Sequence, residues 1–239
     1  MLAIIHAEFQ KSRGSSIHQF VIMAPVAVLV LSYCLGGGQN GAYNWWYVMF
    51  LPGLVAILSS MVIGRDKILG YKGLFLFPDD KAFFWIGKIL YLSVLVVVSS
   101  LIFMFGIAIM GYLDAPVISF QANMAGGAVL VLTALFELPV CMFLADRYNL
   151  FAATLFNIVM VMVSVVAFQT SSILQFSPYG VGIALMCPIL HILPNGIPIP
   201  EGSPLLINNG LIMPMLGCLV LFLVLTGLTA LLFRGREEK

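Results

Sequence analysis

The stretch "GRDKILGYKGLFLFPDDKAFFWIGK", residues 64–88, holds five of the eleven basic residues of a 239-residue chain (Arg65, Lys67, Lys72, Lys81, Lys88) and three of its ten acidic ones (Asp66, Asp79, Asp80). The surrounding sequence is so apolar that 9% of all residues are charged. A hydrophobic content of 62% with a mean hydropathy of +1.09 exceeds what a soluble domain hides in one core, since such domains run at about 45–50% apolar residues. Residues 1–239 therefore read as a single polytopic membrane domain, and the quoted stretch as a charged connector between two crossings.

Runs of about 20 apolar residues suffice to cross hydrocarbon at 1.5 Å per residue. Six are expected: 17–35, 47–63, 84–112, 124–144, 150–168 and 211–233. The apolar run 180–193 is short, contains Pro188 and is flanked by Pro178 and Pro194, which suits an external re-entrant hairpin between spans five and six rather than a crossing. Six spans put both termini on one side, and the basic residues choose which. With the N-terminus inside, Lys11, Arg13, Arg65, Lys67, Lys72, Lys81, Lys88, Arg147, Arg234, Arg236 and Lys239 all fall in the cytoplasm, as the positive-inside rule requires. A seventh crossing would strand the last three outside. Trp45, Trp46 and Trp85 are expected at the interfaces, and Pro25, Pro52 and Pro139 are expected to kink their helices while neighbours satisfy the freed carbonyls. Leu2, Ile5 and Phe9 share one face of an N-terminal amphipathic helix, with Glu8 and Lys11 on another; it is expected to lie along the cytoplasmic surface.

Catalytic patterns do not emerge. There is no HExxH, no GxSxG and no GxxxxGK[ST], so zinc hydrolysis, elbow-type acyl transfer and Walker-type nucleotide binding lack their residues, and an ATP-driven role needs a second polypeptide. His6, His18 and His191 have no partner at metal-ligand spacing. The four cysteines show no CxxC and read as packing residues. Leu31 to Cys34 imitates a lipoprotein cleavage box, but Tyr33 stands where a small residue belongs. Asp146-Arg147-Tyr148 spells a receptor triplet inside a very short turn and is taken as chance. Glu137, in "LFELPVCMF", is the one acid well inside a span. A charge there costs about 2.5–3.5 kcal/mol on insertion scales, so it faces the bundle. Either it bonds the backbone loosened by Pro139, Asn157 or Ser164, or it lines a path for a cationic substrate. Residues 169–210, broken by Pro178, Pro188, Pro194, Pro198, Pro200 and Pro204, cannot form one helix and are expected to cap the outer half of the domain.

Within the connector, Tyr71, Phe75 and Phe77 stand among charges. Pro78 followed by Asp79 and Asp80 suits a helix start, and the earlier half suits a short helix across the membrane face. By composition alone, aromatics dipping into headgroups explain the stretch nearly as well. The words "AEFQKSR" (7–13), "YNWWYVMFLPG" (43–53), "FPDDKAFFWIGKIL" (77–90), "ELPVCMFLA" (137–145) and "LMCPILHILPNG" (185–196) resemble, in this order, those of permease subunits of lantibiotic-immunity ABC transporters, the MutE/EpiE family. That resemblance implies six transmembrane helices of the ABC exporter permease type in a bacterial cytoplasmic membrane. It also implies a second related permease and two copies of an ATPase that carries ATP and Mg. The connector would be the coupling helix docking into that ATPase, through Arg65, Asp66, Lys67, Tyr71, Lys72, Phe75, Phe77, Pro78, Asp79 and Asp80. The cargo would be a cationic, thioether-bridged peptide, its route expected past Glu137, Trp45, Trp46, Asn195 and Glu201. An exterior free of Lys and Arg and carrying Asp114 and Glu201 would not repel it. This chain itself is expected to bind no cofactor, metal or nucleic acid, and to contact membrane lipid. From another class, a non-transporting immunity or sensor protein that sequesters the peptide also fits.

Overall fold

The computed structural model describes residues 1–71, 81–114, 116–170, 177–206 and 212–235, with the side chains of 169 and 170 excepted. The middle of the connector, with Lys72, Phe75, Phe77, Pro78, Asp79 and Asp80, lies outside the described residues, and so does the expected coupling helix. Among those described, every element is helical apart from an isolated bridge between Ile192 and Pro198. We name them α1 (Leu2–Ser12), α2 (Ile17–Cys34), α3 (Gly38–Ile68), α4 (Lys81–Leu113), α5 (Phe120–Ala134), α6 (Glu137–Arg147), α7 (Leu150–Thr170), α8 (Pro178–Leu190) and α9 (Ile212–Arg234), with a 3-10 turn at Pro204–Leu206.

Among the described residues, five helices are long and apolar enough to cross a membrane: α2, α3, α4, α7 and α9. The pair α5 and α6, bent by 41°, makes a sixth if it is one span. The chain is a multi-pass membrane protein. Its lipid-facing surface is as apolar as its core: Ile22, Met23 and Val30 on α2, Phe151 and Val166 on α7, and Met213 and Leu223 on α9 are all exposed. This is the pattern expected when hydrocarbon replaces water as solvent.

The central helix is α3, which packs on α2, α4, α6 and α7. Leu54, Val55, Ala56, Leu58 and Ile63 are buried on all its sides. It is longer at both ends than the apolar run 47–63, because polar residues there find protein partners, Gln39 with Ile107 O and Lys67 with Asp146 O among them. The short helix α8 packs against α5, α7 and α9, with Val181 through Cys187 all buried. Where α5 meets α4, a Cβ on Gly127 would overlap the Met104 thioether; only glycine permits that approach. Side chains cap three helix starts: the Ser119 hydroxyl accepts from Ala122 N at 3.2 Å, Asn149 Oδ1 from Ala152 N at 2.9 Å, and Ser177 from Gly180 N at 3.1 Å, each filling an orphan donor of a first turn.

The three prolines behave differently from one another. Pro25 sits inside continuous α2, and the carbonyl it frees, Val21 O, accepts a 2.8 Å bond from Ser99 Oγ of α4. Pro52 follows a π-helical turn, Trp46–Phe50, within α3 rather than breaking it. At Pro139 the helix does break, and Leu135 O is taken by Leu138 N at 3.1 Å. A proline removes one i→i−4 bond in each case, and the carbonyl freed by Pro25 is taken by a neighbouring helix while that freed by Pro139 is taken within the break itself.

Candidate functional site

Two clusters of polar side chains stand out from the apolar bundle, one at the end where the basic residues gather and one at mid-bundle.

At the basic end, α3 continues past the apolar run to Ile68, so Arg65, Asp66 and Lys67 are helical rather than part of a loop. Lys88 Nζ of α4 bonds Glu8 Oε1 of α1 at 2.8 Å and also pairs with Asp66. Lys11 lies 2.9 Å from Glu8 and 3.7 Å from Asp66. Glu8, Asp66 and Lys88 are buried, which demands this near-complete pairing. Lys11 is half exposed. Burial lowers its pKa, but Glu8 and Asp66 together outweigh that and leave it raised above 10.5. Arg65 Nη1 donates to Lys11 O at 2.5 Å, closing the N-terminal helix onto α3. On the other side of α3, Lys67 Nζ donates to Asp146 O at 2.8 Å and Tyr148 O at 2.9 Å, capping the negative end of α6.

The helix α3 then ends in a Schellman turn: Tyr71 N bonds Asp66 O at 2.7 Å and Gly70 N bonds Lys67 O at 3.1 Å, with Gly70 at φ +59° as the motif requires. Tyr71 is also left-handed, at φ +57°, a conformation disfavoured for a bulky residue. It is held there by burial: its hydroxyl donates to Asp146 Oδ1 and its ring meets Phe233 edge-on at 5.6 Å. Phe233 in turn stacks on Trp85 at 4.6 Å, whose Nε1 donates to Thr229 Oγ1 at 2.9 Å. The chain entering 72–80 and the chain leaving it are thus fastened to α1, α3, α4, α6 and α9.

At mid-bundle, the α5–α6 break puts Glu137 in the first turn of α6. Asn157 Nδ2 of α7 donates to Glu137 Oε2 at 2.6 Å and to Pro52 O at 2.9 Å, while Asn157 Oδ1 accepts from Tyr179 OH at 3.2 Å. One buried amide therefore joins α3, α6, α7 and α8. Beside Glu137, Thr133 and Tyr179 lies a void of about 20 Å³, room for about one water molecule.

The expected substrate-path residues differ in burial. Glu137 and Trp46 are buried, the latter stacked on Phe103 at 4.7 Å. Trp45, Asn195 and Glu201 are exposed. Trp46 and Trp85 sit inside the bundle instead of at a lipid interface, because each finds an aromatic partner there. Residues 191–199 fold back on α3: Asn44 Nδ2 donates to Pro194 O, Tyr47 OH to Leu193 O at 3.3 Å, and Leu193 N to Ile197 O at 2.8 Å. Of the connector residues, Asp66 and Tyr71 are buried in contacts of this chain's own, and Arg65 and Lys67 are bonded to its backbone. The role of Asp146 is not legible in its chance triplet, because its partner Tyr71 is 75 residues away. Among the described residues, no three His, Cys, Asp or Glu side chains converge as a metal set. Compared with protein-family models, curated proteins and solved structures, the chain matches nothing in any of the three.

Proposed function

We propose that the chain is the permease subunit of an ABC exporter that removes a cationic antimicrobial peptide of the lantibiotic class from a bacterial cytoplasmic membrane, driven by a separate ATPase. The reading places both termini and the connector in the cytoplasm, with α5 and α6 as one bent span and α8 as the outgoing arm of an external re-entrant hairpin. The observation that supports it best is the anchoring around residues 72–80. A short segment of charges and aromatics leaves from a strained, buried Tyr71 and returns at Lys81, and the helices on both sides are tied to four spans and to α1. A push on that segment from a partner would be transmitted to the whole bundle rather than absorbed locally. The Glu137–Asn157–Tyr179 network, which crosses four helices, supplies a central joint that such a push would load.

The test is co-purification of the chain with an ABC ATPase of its source organism, in wild type and in a Lys72→Glu, Asp80→Lys double variant, together with peptide resistance of the cells. Loss of both assembly and resistance in the variant is expected. Retention of both removes the coupling role; resistance with no ATPase bound by either form favours sequestration of the peptide.

A further inference from the structure

An apolar groove of about 480 Å³ runs between α1, α2 and α4, walled by Ile5, Phe9, Val21, Val94, Leu95 and Val98. That is the size of a site for one small amphiphile or chain segment. Its polar features are confined to one corner. His6 and His18 are its imidazoles, and His18 Nε2 is shut off from solvent without a hydrogen-bond partner among the described residues, its ring against Phe9 at 5.3 Å. The Tyr91 hydroxyl, on the groove wall, lies beside Ser12 and within electrostatic reach of Arg65.

The charge at that corner does not balance. Lys11 and Lys88 are matched by Glu8 and Asp66, whereas Arg13 and Arg65 have no carboxylate partner among the described residues. One guanidinium nitrogen of Arg65 is buried with no acceptor among the described residues. Arg65 is within electrostatic reach of the groove-wall Tyr91 and Arg13 follows Ser12 in the chain, so this half-neutral cluster with two surplus guanidinium groups, at one end of an apolar slot, is complementary to an anion carrying an alkyl chain.

We propose that this groove binds one acyl chain of an anionic phospholipid, its phosphate held at the Arg13 and Arg65 corner, so that the lipid seats α1 against the bundle. The site is independent of any export role. It lies where the basic residues gather, the leaflet side that attracts anionic lipid when basic residues cluster at the surface.

Native mass spectrometry of the full chain in detergent, with phosphatidylglycerol and phosphatidylcholine of identical chains added in turn, tests it. One retained phosphatidylglycerol per chain is expected, with phosphatidylcholine retained at least about tenfold less, a difference of about 1.4 kcal/mol. Retention should fall about tenfold both in Arg13→Gln, Arg65→Gln and in Val94→Trp, which fills the slot from a half-exposed wall position. Arg147→Gln, the same charge change at an exposed site elsewhere, should retain the lipid. Equal retention of the two lipids by the wild type overturns the proposal, and so does undiminished phosphatidylglycerol in Val94→Trp with native helix content by circular dichroism.

Discussion

Asn157 is a hub of the buried polar balance, since it satisfies a carboxylate, a proline carbonyl and a phenol at once. Asn157→Ala leaves three buried groups short of a partner, at about 1–3 kcal/mol for each that stays unpaired. Thermal unfolding in detergent should show a large loss, and a Leu substitution of exposed Val163 should show almost none. Lys88 is the second such residue. Lys88→Met leaves Glu8 and Asp66 facing each other with half-exposed Lys11 as their remaining cation, and breaking a buried pair in this way costs about 3–5 kcal/mol. The double variant Lys88→Met, Glu8→Met should recover part of that loss, measured by the same unfolding. The raised pKa of Lys11 fixes the sign of its pH dependence. Its contribution is fully present below 10.5 and is lost as pH rises through the elevated value. Docking of α1 should therefore be insensitive to Lys11 across neutral pH and weaken only in strong alkali, as followed by limited proteolysis near Gly14.

At the scale of elements, the break between α5 and α6 is set by Pro139, whose missing N–H frees Leu135 O. Pro139→Ala restores that donor, and the 41° bend should shrink. A spin-label distance between positions 121 and 147 should lengthen, and Glu137 should lose its register with Asn157. The end of α3 makes a complementary case. Tyr71 pays a left-handed backbone conformation of about 1–3 kcal/mol and is kept in place by Asp146 and Phe233. Tyr71→Phe removes one of these restraints and keeps the other. On the export reading, a reduced peptide resistance at unchanged membrane abundance is expected, because the anchor of the connector slackens while the bundle stays folded.

For the whole molecule, the arrangement of cations makes a topological prediction. A cysteine at Glu201 should react with a membrane-impermeant maleimide in intact cells, whereas cysteines at Gly73 and Arg147 should react only after permeabilisation; labelling of Gly73 in intact cells would invert the fold in the membrane. The apolar spans, the short α8 and the bend at Pro139 were legible in the chain because hydrocarbon imposes length, hydropathy and proline rules residue by residue. The amphipathic α1 was legible as a helix by its periodicity, with Leu2, Ile5 and Phe9 sharing a face, though not as a partner of Lys88. Asn157 was named as one of several partners for Glu137, and the distances chose it over Ser164, which instead bonds its own helix at Met160 O, 3.0 Å away.

Linear sequence by itself determined that this chain lives in a membrane, which apolar runs are long enough to cross it and which residues are charged enough to gather at one end, since each of these follows from transfer free energies summed over neighbours in the chain. Tertiary structure alone decided which charges cancel, that Trp46 and Trp85 are buried, that Tyr71 reaches Asp146 and that Arg13 and Arg65 have no carboxylate partner among the described residues. Those outcomes depend on which helix faces meet, and the hydrogen bonds join residues up to 150 positions apart, a separation over which no local pattern in the sequence carries information.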